Sequence, residues 1–230
     1  MHLRLLGRFE LRHGDVEVRL APMGERLLAY LALRGVSPRD AVAFRLWADH
    51  GEEHALACQR STLWRLPKPD GTALVRTDNA RVRLADHVEV DVAHQRGQAA
   101  AWAQGEPLPP GLTTRGFTAD VLPGWYDDWL ILDRERHRQM RLHLLERMST
   151  WLTGAGRYGE AIAAGLEAVD AEPLRESAHR CVVTAHLAEG NLHEAVRQTR
   201  HYLALLDDAG LPATPSPALR RLVPLVSRVG

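Results

Sequence analysis

The chain has 230 residues, enough for one large domain or two small ones. It is 45% hydrophobic and 25% charged, which allows ordinary packed cores and excludes a chain disordered throughout. Basic and acidic residues number 29 each, so any nucleic-acid surface must arise from local separation of charge. Cys58 and Cys181 are too few for a disulfide framework and read as reduced thiols of a cytoplasmic protein. Arg4, Arg8 and Glu10 interrupt any apolar signal segment, and no window is apolar and long enough to span a membrane.

Residues 1 to 20 alternate as strands do: "LRLLGRFEL" and "VEVRL" flank "RHGD", whose Gly14-Asp15 suits a hairpin turn. From Pro22 the period becomes helical through Leu27, Leu28, Leu31 and Ala32, with Gly35 placed to end the helix. Ser37 as N-cap, Pro38 at the first helical position and Asp40 predict a second helix through Val42, Phe44, Leu46 and Trp47. A third helix covers 53 to 66. "PKPDG" then turns the chain, and "ALVRT" and "RVRLA" bracket Asp78-Asn79 as a second hairpin. Strands, three helices and a hairpin outline a winged helix-turn-helix, closed by "VEVDV" (88 to 92). A short helix near 93 to 104 leads to the Pro/Gly-rich "GEPLPPGLTTRG", the expected domain boundary.

Beyond that boundary the pattern is all helical. A long amphipathic run, 125 to 152, ends at Gly154-Ala155-Gly156, and "GRYGEAI" and "GNLHEAV" follow with an offset of 34 residues. Thr150/Thr184, Gly156/Gly190, Glu160/Glu194 and Ala161/Ala195 are identical across that offset, which is the tetratricopeptide period. Such repeats present partner-binding surfaces and seldom carry active sites. Fold class is therefore mainly α with small β elements: a winged helix-turn-helix at 1–92, a connecting helix and linker at 93–120, and an all-α tetratricopeptide-like domain at 121–230.

The stretch "HGEEHALACQRSTLWRL" (50 to 66) supports two readings. His50, Glu53 and His54 satisfy the H-x-x-E-H spacing of inverted-motif zinc peptidases. That chemistry needs the three on one continuous helix, where Gly51 costs about 1 kcal/mol, and a further protein ligand. No downstream carboxylate motif supplies one. On a helical projection Ala55, Leu56, Gln59, Thr62, Leu63 and Leu66 share one side, and His54, Ala57, Ser61, Trp64 and Arg65 the other, with Arg60 on the flank. The second side suits a major groove, where guanidinium groups read guanine edges and phosphates. Between His54 and Arg83, six bases (Arg60, Arg65, Lys68, Arg76, Arg81, Arg83) face only Asp70 and Asp78, a net +4. The recognition-helix reading is preferred and the metal spacing is taken as accidental. P-loop and nucleophile-elbow motifs are absent from the sequence, so no enzyme activity, cofactor or metal is expected. Trp125, Trp129 and Trp151 read as core anchors.

These segments resemble the Streptomyces antibiotic regulatory protein (SARP) type of transcriptional activator. "LRLLGRFEL", Arg45-Leu46-Trp47, "RSTLWRL" (60 to 66) and "VEVDV" look like its winged-helix half. "VLPGWYDDWLILDRERHRQMRLHLLE" (121 to 146), "GRYGEAI" and "EPLRESAHR" (172 to 180) look like the bacterial transcriptional activator domain that follows, and are the more specific match. Gln59 stands where that family usually has an apolar residue, "HGEEH" is more acidic than expected beside DNA, and 210 to 222 match only loosely. Larger members carry a further nucleotide-binding domain, so ATP control is not expected here.

The resemblance implies an activator binding double-stranded DNA at promoter direct repeats, as a homodimer on DNA, and recruiting RNA polymerase with its primary sigma factor. It also implies control of an antibiotic or other specialised-metabolite gene cluster, with no membrane partner. The residues expected at DNA are His54, Ala57, Arg60, Ser61, Trp64 and Arg65 on the third helix, with Lys68, Arg76, Asn79 and Arg81 around the wing. The alternative is a protein-interaction adaptor whose winged helix no longer touches DNA, favoured by Glu52, Glu53 and Gln59.

Overall fold

Proline has no amide to lose at a helix start, and glycine can take the positive φ that ends one. Helix α1 (Pro22–Arg34) runs between these two residues, with Gly35 at φ 71° and its N–H on the Leu31 carbonyl at 2.8 Å. The structure, a computed structural model, describes residues 1–78, 80–103, 117 and 119–223. By its internal contacts the chain forms two compact units.

The first unit comprises 1–105 and 119–137. Strands β1 (His2–Arg4), β2 (Glu10–His13) and β3 (Val16–Glu17) form an antiparallel meander. Strand β4 (Ser37–Pro38) precedes α2 (Arg39–Leu46) and α3 (Glu52–Arg65). Strands β5 (Val75–Thr77) and β6 (Arg81–Leu84) make the second hairpin, and β4 pairs with β6 in the order β4-β6-β5. Strand β7 (Glu89–Val90) lies parallel to β1, giving the first sheet the order β3-β2-β1-β7. Asp91 secures that junction: its carboxylate accepts from the Leu5 and Leu6 amides at 3.0 and 2.9 Å and from the Val92 amide at 2.7 Å. The core gathers Leu3, Leu5, Leu27, Leu28, Leu31, Val42, Ala55, Leu74 and Val82.

Two expectations change here. Ser37 is no N-cap: Ser37 and Pro38 pair with Val82 and Arg81, and α2 starts one residue later, at Arg39. Strand pairing claimed the backbone that the capping pattern had assigned to a helix. The compact units also divide the chain elsewhere than at 92 and 120. Helix α4 (Asp91–Ala103) packs with the first unit, whose core Val92 joins, and Arg96 donates to the Leu33 carbonyl at 3.0 Å. Residues 119–137 also belong there: Val121, Leu122, Trp129 and Leu130 join the same core. Asp133 is buried among Arg34, Arg96 and Arg136, with Arg34 Nε at 2.9 Å, and burial pushes the pKa of its carboxyl up against the pull of those cations. The "GEPLPPGLTTRG" segment lies outside the described residues.

The second unit is helical: the greater part of α5 (Asp128–Gly154), then α6 (Tyr158–Ala171), α7 (Glu176–Glu189), α8 (Leu192–Asp208) and the short α9 (Pro217–Leu222). The 34-residue repeat is visible in the backbone. Gly156 and Gly190 have φ of 73° and 90°, and each donates to the carbonyl three residues back at 3.1 Å. Arg157 and Asn191, the next residues, each donate five residues back, at 2.9 and 2.8 Å. Ala161 and Ala195 are both fully buried. Gly165 of α6 faces Val182 of α7 so closely that an added Cβ would stand 2.7 Å from the valine Cγ2. Trp129 is a core anchor and Trp125 stacks on Phe9 at 6.0 Å, whereas Trp151 is exposed, against expectation.

Candidate nucleic-acid interface

Helix α3 is held by its apolar side and by one polar strut. Ala55 and Gln59 are its buried residues, and Gln59 Nε2 donates to the Arg39 carbonyl at 2.7 Å. The amide that departs from the family pattern thus ties α3 to the first turn of α2. A buried donor with a partner stabilises; one without costs about 1–3 kcal/mol.

The opposite side faces outward. Arg60, Trp64 and Arg65 are exposed, Trp64 at 84%, and Ala57 and Ser61 are half-buried. Nothing among the described residues pairs with Arg60, Arg65 or Lys68, so these three charges stand free. Arg60 and Arg65 point outward into solvent. Arg65 also sits in the last turn, where the helix dipole favours a cation.

The wing supplies more charge, partly committed. Arg81 is exposed. Arg76 pairs with Asp86 at 3.2 Å, and Arg83 pairs with the same carboxylate, so Arg76 is less available than the sequence suggested. The turn is built by Asp78, whose Oδ1 accepts from the Ala80 and Arg81 amides at 2.9 and 2.6 Å. Those bonds hold its carboxyl below the usual acid range. Asn79 lies outside the described residues.

Arg39 was absent from the expected set. Its amide bonds the Ala80 carbonyl at 2.9 Å, and its side chain lines one depression with Gln59, Arg60 and Ala80, bringing the start of α2, the middle of α3 and the wing tip together. No local sequence signal marks it, because the juxtaposition depends on the pairing of β4 with β6.

The N-terminal end of α3 differs in character. Glu52 and Glu53 are exposed in its first turn, and the rings of His50 and His54 stack at 4.8 Å with an interplanar angle of 10°. Glu53 does not complete a donor set with them; Cys58 does. One donor atom from each of His50, His54 and Cys58 lies within 4.8 Å of the others.

Residues 114–224 match the family described as "Bacterial transcriptional activator domain". The match takes in most of the helical half and just under half of the whole chain. The chain is also similar in fold to a solved structure of Mycobacterium tuberculosis EmbR in complex with a low-affinity phosphopeptide. The TM-score is 0.71 and the identity 21%, over 99% of this chain and 65% of the other. This chain therefore spans somewhat less than two thirds of that protein's length. Comparison with curated proteins gave no match. The likeness in fold agrees with the mainly α fold class expected from the sequence, small β elements and three helices followed by an all-α half. Among the described residues, no helix is long and apolar enough to cross a membrane.

Proposed function

We propose that the chain is a sequence-specific DNA-binding transcriptional activator of the SARP type. Helix α3 enters the major groove, Arg60, Ser61, Trp64 and Arg65 meet base edges and backbone, and Lys68, Arg81 and the freer fraction of Arg76 hold phosphates. His54 and Ala57 border that contact, the wing turn at Asp78 lies over the neighbouring minor groove, and Arg39 joins the phosphate contacts beside Arg60. The observation that carries this reading is the set of unpaired, exposed guanidinium groups on one side of a helix whose other side is locked into the core. The helical domain supports dimerisation on promoter direct repeats and contact with RNA polymerase and its primary sigma factor. A specialised-metabolite gene cluster is the expected target.

Each bidentate base contact is worth about 1–3 kcal/mol of discrimination, whereas a phosphate contact is worth the same on every sequence. The test is an anisotropy titration of promoter fragments from the protein's own gene neighbourhood over a range of salt. Arg65→Ala should lose roughly tenfold or more of its preference for specific over random duplex. Lys68→Ala should weaken both alike and lower the salt slope by about one. Unchanged affinity and slope in both variants refute the assignment. They would favour the adaptor reading, for which the exposed Glu52 and Glu53 at the head of α3 are the supporting observation.

A further inference from the structure

We propose that His50, His54 and Cys58 form a binding site for a thiophilic transition-metal ion, with Zn²⁺ the best fit. Helical spacing places His54 and Cys58 four residues apart on one side of α3. His50 comes from the preceding turn, folded back by its amide bonding the Trp47 carbonyl at 3.0 Å. Two imidazoles and one thiol then converge with donor atoms no more than 4.8 Å apart, the one such group of three among the described residues.

The donor set decides the class of ion. Two nitrogens and a sulfur suit Zn²⁺, Co²⁺, Ni²⁺ or copper and not Mg²⁺ or Ca²⁺, which take oxygen ligands. Tetrahedral bonding at the usual Zn–N and Zn–S lengths puts ligand atoms about 3.3–3.7 Å apart, so closure asks for about 1 Å of contraction. Both histidines are exposed and Cys58 is half-buried, so rotation of these side chains supplies it without moving the helix. The stacked rings are already nearly parallel, and neither imidazole has a carboxylate partner among the described residues.

Charge is consistent with a cation. The N-terminal end of a helix disfavours positive charge, but Glu52 and Glu53 stand in its first turn and Asp49 just before it. Those acids are awkward beside DNA and apt beside a metal. Three protein ligands leave the fourth position to water or to one of these carboxylates. On binding, the cysteine gives up its proton, so occupancy falls as the solution is acidified. The site is separate from any peptidase chemistry, since Glu53 is not a member of the converging set.

The experiment uses the full, reduced chain stripped of metal and titrated with Co²⁺ without oxygen. The expected result is one equivalent bound, with a thiolate-to-metal charge-transfer band in the near ultraviolet and tetrahedral visible bands, both erased by Zn²⁺. Cys58→Ser should lose the charge-transfer band, and His54→Gln, at an exposed position, should weaken binding at least tenfold while leaving circular dichroism unchanged. Cys181→Ser should keep the band; that thiol belongs to the second unit, and burial pushes its pKa up. Absence of the band in the wild type overturns the proposal. So does a band that survives in Cys58→Ser, or affinity unchanged in His54→Gln.

Discussion

Gly165→Ala sets two known effects against each other. In an exposed helix the change stabilises by about 1 kcal/mol, because alanine loses less backbone entropy. Here the new methyl would stand 2.7 Å from Val182 Cγ2, 3.3 Å from the Val182 amide nitrogen and 3.4 Å from Ser149 Oγ. Val182 is fully buried, and a helical valine is held to essentially one rotamer, so it cannot swing aside. The backbone nitrogen can retreat only if α7 moves. Overpacking of this kind costs about 1–3 kcal/mol, and against the propensity gain the expected net loss is about 1 kcal/mol. Val182→Ala alone should also destabilise, by a cavity. The two together should be less harmful than their sum by about 1 kcal/mol or more, since the added methyl enters the vacated space. Hydrogen exchange resolved to α6 and α7 reports the second unit separately from the first. A Gly165→Ala protein with equal or greater protection there, or strict additivity in the double variant, would refute the claim that backbone approach sets this helix pair.

Gln59→Ala should cost about 2–3 kcal/mol in denaturant unfolding, combining a lost hydrogen bond with a cavity, whereas Gln59→Leu keeps the volume and should cost about 1 kcal/mol or less. Equal losses in the two would show that the bond to Arg39 dominates over filling. His179 is fully buried between the Pro173 carbonyl, 2.9 Å from Nε2, and the Gln198 amide, 3.0 Å from Nδ1, and burial lowers its basicity below the usual 6.5. The unfolded chain then binds the proton more readily, so this contribution is complete above about pH 6.5 and is lost as pH falls toward the lowered folded value. Protection of α7 and α8 should decline over that window, and His179→Asn should flatten the decline.

Local signals were legible where one residue sets the geometry. Pro22 and Gly35 bounded α1, Asp78 marked the wing turn, and the glycines of the 34-residue offset foretold a repeated hydrogen-bond pattern. Pairings between distant segments were not legible. The two residues of β4 carry a helix-start signature, and only the arrival of β6 makes them a strand. The parallel contact of β7 with β1 likewise has no local mark. Amphipathic spacing along α5 showed a helix but could not show that Trp129, Leu130 and Asp133 serve the first core. On α3, burial of Gln59 and exposure of Arg60 and Arg65 followed from the helical projection. The grouping of His50 and His54 with Cys58 carries no single-motif signature: the spacing of the two histidines matches a peptidase pattern whose third ligand is a distant carboxylate, and only the turn before α3 brings His50 alongside Cys58.

That the first core draws on Trp129 and Leu130 has a consequence for biogenesis. Bacterial-type synthesis delivers about 5–20 residues per second, and domains ordinarily fold in order of emergence. Here the leading domain stays short of its last wall until some forty residues of later sequence have cleared the ribosome, by which time the following helices are already on their way. The nascent chain therefore holds an open apolar surface for several seconds longer than a contiguous winged helix of the same size, and that interval is where a chaperone has its purchase.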